Sequence, residues 1–229
     1  DVDTLQEMAV RTGGADAQSP TAGVQLNMVL RQGENLPHGS ARYYFGGDRF
    51  QGDNLTPALA LSLGTVGAGG GNRTDSFHDF GFDLGGPLLK DRVWVWGAIG
   101  RVHSDLLALD GSPDDSELGT RGIKAEALWH PSVRVNGAYY YSEKLEDGRD
   151  AGPARPRETT WQQSGPSRYF KGEGNFTMPG LFASLRGAYV DAGFVLLPTV
   201  PFRDYYIDDG GVAHNSYYQH QTHRPQHYF

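Results

Sequence analysis

Asp79 to Val102 reads DFGFDLGGPLLKDRVWVWGAIGRV, two alternating runs around a short polar turn. Phe80, Phe82 and Leu84 fall on one face of the first run, and Asp79, Gly81 and Asp83 on the other. After Pro87-Leu88-Leu89-Lys90-Asp91-Arg92 the alternation resumes, with Val93, Val95 and Ile99 opposite Trp94, Trp96 and Ala98. Period-two alternation marks a strand whose two faces meet different surroundings. Lys90-Asp91 is short enough to close a hairpin. The second run carries large apolar groups on both faces near the turn, two Trp among them. That suits a strand whose turn end lies at a membrane–water interface, where indole rings collect. A strand buried inside a sandwich would carry the same pattern, so both architectures stay open at this point.

Composition narrows the field around this hairpin. The 229 residues suffice for one ordinary domain or for part of a larger one. There is no Cys, so a disulfide framework and a Cys-based metal site are both excluded. The net charge of −7 argues against a nucleic-acid partner, since phosphate binding needs clustered cations. With 32 Gly and 12% aromatics, the chain suits many strands separated by turns, and suits long helices poorly. No apolar run of about 18 residues occurs, which leaves no helical span but does not bear on barrel strands of about 9–11 alternating residues. Asp1 is preceded by no Met and followed by no basic or apolar leader pattern.

Further strands lie on both sides. Val24, Leu26, Met28 and Leu30 alternate with Gln25, Asn27 and Val29, and Arg31-Gln32-Gly33-Glu34-Asn35 reads as a polar turn. From Gly39 to Asp48, Ala41, Tyr43 and Phe45 stand opposite Ser40, Arg42 and Tyr44. A second hairpin is expected from Thr120 to Glu143 around His130-Pro131-Ser132, and a third from Ser167 to Val195 around Thr177-Met178-Pro179-Gly180. Pro-Ser and Pro-Gly are what tight connections require. In the third hairpin Tyr169, Lys171, Glu173 and Asn175 oppose Phe170, Gly172, Gly174 and Phe176, one face fit for a wet lumen and the other for lipid. Between hairpins lie longer Gly-, Asp-, Pro- and Ser-rich segments: Arg49 to Thr74, Ser104 to Gly119, Leu145 to Pro166 and Pro198 to Pro225. A rhythm of short and long connections is the rule in outer-membrane barrels, with tight periplasmic turns and long external loops.

Two segments carry a resemblance. Thr12-Gly13-Gly14-Ala15-Asp16-Ala17, then Thr21 to Val29, then Gly33-Glu34-Asn35-Leu36-Pro37-His38-Gly39-Ser40 resembles the end of the plug domain of TonB-dependent outer-membrane receptors, running into the first barrel strand. Phe82-Asp83-Leu84-Gly85-Gly86-Pro87-Leu88, Lys90-Asp91-Arg92 and Trp94 resemble strands two and three of the same barrels, most of all those of the large Oar-like subgroup, which carries a regulatory-like N-terminal domain. The match is concentrated in the first hundred or so positions. It departs from the family pattern at Leu30-Arg31-Gln32-Gly33, where Thr-Lys-Ser-Gly is usual, and at Val24, where the second Gly of a pair is usual. The TonB box and the bulk of the plug are not in this sequence. The resemblance therefore implies an all-β antiparallel meander forming part of a transmembrane β-barrel, incomplete, with a short plug remnant. Residues 1–36 are expected to end the plug, and 37–229 to supply about eight of the 22 barrel strands. The implied function is energised uptake or surface binding of a large nutrient at the cell outer membrane. The implied partners are outer-membrane lipid, the TonB complex through the missing N-terminal part, and a substrate that is a peptide, glycan or metal chelate. The alternative is a secreted soluble β-sheet adhesin or carbohydrate-binding module.

Side chains with chemical potential are few. His214, His220, His223 and His227 are potential metal ligands but fall in an expected loop, and a solvated loop is the simpler reading. Gly67-Ala68-Gly69-Gly70-Gly71-Asn72 lacks the Lys-Ser/Thr and helix of a phosphate loop. Asp114, Asp115, Glu117, Asp208 and Asp209 are potential Ca²⁺ ligands, against the plainer reading of acidic loops. No Ser-His-Asp grouping has a convincing context, so neither catalytic residues nor a cofactor are expected. Tyr139-Tyr140-Tyr141 suits an aromatic girdle. Tyr205, Tyr206, Tyr217 and Tyr218, in an expected external loop, are the candidates for substrate contact.

Overall fold

The computed structural model describes residues 4–12, 24–52, 55–62, 72–108, 110–201, 204–215 and 219–229. Thr12-to-Asp16 beyond its first residue, the glycine run up to Gly71, and Tyr217-Tyr218 lie outside them. The chain is almost wholly antiparallel β. Its strands are β1 (Leu5–Arg11), β2 (Gln25–Leu30), β3 (His38–Gly47), β4 (Arg73–Leu89), β5 (Val93–Leu107), β6 (Pro113–His130), β7 (Val133–Arg149), β8 (Trp161–Met178), β9 (Leu181–Pro198), β10 (Tyr206–Ile207), β11 (Ala213–His214) and β12 (His220–Tyr228). One short helix, α1 (Pro57–Ser62), follows β3. Strands β3 to β9 and β12 form a single open meander of eight in order of sequence, as a piece of barrel wall would. β1–β2 and β10–β11 are separate two-stranded ribbons. Among the described residues no helix is long and apolar enough to cross a membrane.

The three expected hairpins are present with the expected turns, at residues 90–92, 131–132 and 179–180. Asp91 (φ 63°) and Gly180 (φ 78°) supply the left-handed residues that let such short connections reverse the chain. At the other end of the sheet the connections are 48–72, 108–112, 150–160 and 199–219. The short–long rhythm holds, but two expected long segments shrink. Ser104 to Gly119 and Leu145 to Pro166 are mostly strand, because β5 to β8 each run 15–18 residues. Their outer halves carry polar groups on both faces, which erases the alternation while the backbone ladder continues. The histidines are corrected for the same reason: His220, His223 and His227 lie in strand β12, not in a loop.

Cross-strand register divides the side chains between two faces, most clearly in the halves of the strands nearest the tight turns. Leu84, Gly97, Ile123, Tyr139, Phe170 and Tyr189 form one continuous row across six strands. The adjacent row is Gly85, Trp96, Lys124, Ala138, Lys171 and Ala188, on the opposite face. Hereafter the first is the apolar face and the second the polar face. On the apolar face Phe80, Phe82 and Leu84 are 42%, 50% and 57% exposed. The buried apolar residues among those described are only Trp96, Ala98, Leu196 and Ala213. A sandwich would have stacked a second sheet about 10 Å from Phe82. Here the apolar face stays bare, and the N-terminal ribbon is tied to the polar one.

Candidate functional site

The N-terminal ribbon is joined to the wall on the polar face by a network of hydrogen bonds around Asp83. Asp83 alternates with Phe82 and Leu84 along β4, so the register that bares those residues turns its carboxylate inward, out of solvent. A buried carboxylate is costly without donors. It receives three sets: Ser40 Oγ from β3, Trp96 Nε1 from β5 at 3.2 Å, and Arg31 Nη1 at 3.3 and 3.4 Å. Arg31 also reaches back, its backbone N–H donating to Thr4 O at 3.0 Å and its Nε to Leu5 O at 3.3 Å. Lys124 Nζ donates to Leu30 O at 3.4 Å.

The following residues lie flat against the β4–β5 hairpin. A Cβ on Gly33 would stand 2.4 Å from Val95 O and 2.8 Å from Val95 N, so only glycine fits there. Asn35 Oδ1 accepts from Asp91 N at 2.9 Å and from Trp94 Nε1 at 2.8 Å, while its Nδ2 donates to Asp91 Oδ1 at 2.6 Å. Trp94 thus lies beside the Lys90-Asp91 turn. Next to this junction Arg42 Nη2 pairs with Asp79 at 2.9 Å, so Asp79 and Asp83 share the polar face as expected.

The opposite end of the sheet carries a small folded cap. Residues 150–160 are held to residues 199–201 and 204–215 through Ala213 N to Ala154 O (2.8 Å) and Thr199 N to Thr160 O (3.2 Å), over buried Thr159, Thr160 and Ala213. Asp208 closes the β10–β11 turn, accepting from Gly210 N at 2.9 Å and Val212 N at 3.0 Å. His214 Nε2 lies 2.8 Å from Asp208 Oδ2, and this hydrogen bond, with that from Val212 N, holds the carboxyl below the usual carboxylate range. Tyr206 is 53% exposed and stacks on His214, with centroids 4.8 Å apart and planes at 16°. Tyr205 is half-buried beside it.

The remaining candidates do not converge. His214 turns to Asp208, His223 Nε2 to Asp191 at 2.6 Å, His227 to the ring of Tyr189 and His220 to that of Phe194. Glu117 pairs with Arg101 at 2.5 Å, Asp115 lies opposite Asp105 and Asp147, and Asp114 is on the other face beside Glu146. Tyr139 and Tyr141 stand on the apolar face and Tyr140 on the polar one. Arg31, Asn35 and Asp83 were not singled out by sequence as a site. The signal for them was slight: one Arg in a polar linker, and one Asp in an otherwise Phe-, Leu- and Gly-rich strand.

Comparison with known proteins supplies one similarity. Over 100 residues the chain is 35% identical to the TonB-dependent transporter Oar of Myxococcus xanthus. That stretch is 43% of this chain and 9% of the Myxococcus protein, so the chain spans a small part of that relative's length. No protein-family model and no solved structure matches the chain.

Proposed function

We propose that the chain is part of an outer-membrane receptor of the TonB-dependent kind, in which residues 1–36 end the plug and 37–229 form barrel wall. The observation that carries this reading is the bare apolar face. Phe80, Phe82, Leu84, Ile123 and Phe170 line it, while the polar face behind it holds the N-terminal ribbon. A wall between lipid and a wet, plugged lumen needs that division. The tight turns then face the periplasm and the Tyr205–Tyr206 cap faces outward. Similarity to the Oar transporter points the same way.

On this reading outer-membrane lipid contacts the apolar face. The TonB complex acts through a plug region other than residues 1–36. Tyr205 and Tyr206 of the cap, with Tyr217 and Tyr218 further along the sequence, meet a peptide, glycan or metal chelate. Membrane fractionation of the full-length protein tests it. The protein is expected in the outer-membrane fraction and is expected to shift in gel mobility when boiled in detergent. Recovery from the culture medium as a soluble protein would instead support a secreted adhesin.

A further inference from the structure

Arg31 is bonded to two bodies at once. Through its backbone N–H and Nε it holds Thr4 O and Leu5 O at the start of β1, and through Nη1 it holds buried Asp83 in the wall. The residues after it are fixed to the wall independently, Gly33 by close contact with Val95 and Asn35 by three hydrogen bonds to Asp91 and Trp94. The β1–β2 ribbon before it presents Met8, Val10, Leu26 and Met28 to solvent rather than burying them on the wall.

We propose that Arg31 is the joint of the N-terminal segment: residues 33–36 form a static anchor on the β4–β5 hairpin, and β1–β2, tied to the wall also by Lys124 Nζ on Leu30 O beside the joint, pivots as a unit about that point when the guanidinium lets go of Asp83. A planar fork serves both bodies because its separate N–H groups point in different directions, which the compact ammonium of Lys does not offer. Ser40 and Trp96 stay on Asp83 when the joint opens, so the wall keeps two of its three donor groups and does not unfold with the ribbon. Arg31 is thus a positioning residue that sets how readily the ribbon leaves the wall. Its importance for transport rests on the reading of residues 1–36 as the end of a plug.

Segment-resolved hydrogen exchange on the full-length protein in lipid nanodiscs tests the joint. In Arg31→Gln the amides of β1 and β2 are expected to exchange at least about tenfold faster, while those of residues 33–40 keep wild-type rates. Asn35→Ala is expected to do the reverse, loosening 33–36 and leaving β1–β2 unchanged. Arg31→Lys keeps a cation beside Asp83 and is expected to give an intermediate rate in β1. If Arg31→Gln fails to fold, as judged by loss of the boiling-dependent gel shift, the Lys variant decides. Unchanged exchange in β1, or equal loosening on both sides of Arg31, would overturn the proposal. Exchange reads the joint whether or not the protein transports anything, and fractionation away from the outer membrane would sink the receptor reading separately.

Discussion

Asp83 shows how one residue records the whole architecture. Its neighbours Phe82 and Leu84 are bare, yet it has no solvent contact and is held by donors from three segments. Asp83→Ala leaves Trp96 Nε1 and Ser40 Oγ without their acceptor. The expected loss is about 1–3 kcal/mol in urea unfolding of the full-length protein in vesicles, with Asp83→Asn losing less. Asp114 makes a second, opposite case near the outer end of β6, beyond the roughly 9–11 residues a membrane strand needs. Burial, reinforced by Glu146, pushes its carboxyl up from 3.8 to about 6. A carboxyl raised in the folded state favours folding when protonated, so this end of the sheet should tighten as pH falls from 6 toward 4. Amide protection in residues 105–108 and 110–115, corrected for intrinsic rates, is expected to rise over that window and to rise less in Asp114→Asn, where the carboxyl of Asp115, also raised by burial and by Asp105 and Asp147, remains.

The elements were legible where two different faces meet. The hairpins around Lys90-Asp91, Pro131-Ser132 and Pro179-Gly180 announce themselves through alternation and turn residues, and the structure keeps every one. The outer halves of β5 to β8 read as loops from sequence because polar groups on both faces leave no hydrophobic period. β12 was missed over His220 to His223 for the same reason. β1 carries no period-two signal, since Leu5, Met8 and Val10 break strict alternation; β2 pairs with it regardless. The Arg31–Asp83 link spans 52 positions, a distance at which no local pattern operates. Phe82 tests the face assignment at this scale. Phe82→Arg is expected to cost about 2–4 kcal/mol in vesicle-embedded protein, as a cation near mid-bilayer does, whereas Phe82→Leu should change little.

At the scale of the molecule the sheet is open. β3 pairs only with β4 and β12 only with β9 among the described residues, so both edges offer unpaired backbone. Open edges and a bare apolar face are two routes to aggregation. The 229-residue chain by itself is therefore expected to aggregate in detergent-free buffer, and a monodisperse monomer that melts cooperatively there would contradict the barrel-wall reading. Gly33 packs the N-terminal segment against Val95, and buried Trp96 bonds the Asp83 that holds Arg31, while the described residues form no core between two sheets.

The claim that one face meets lipid and the other a plugged lumen is open to a direct measurement. Nitroxide labels placed singly at Asp79, Phe80, Phe82, Leu84, Ile123 and Phe170 of the full-length protein in bilayers can be read for collisions with dissolved oxygen and with a water-soluble nickel chelate. Labels at Phe80, Phe82, Leu84, Ile123 and Phe170 are expected to favour oxygen strongly, as lipid-exposed sites do, and the label at Asp79 is expected not to. Preference for the nickel chelate at the five apolar-face positions, or shielding of all five from both reagents, would contradict it.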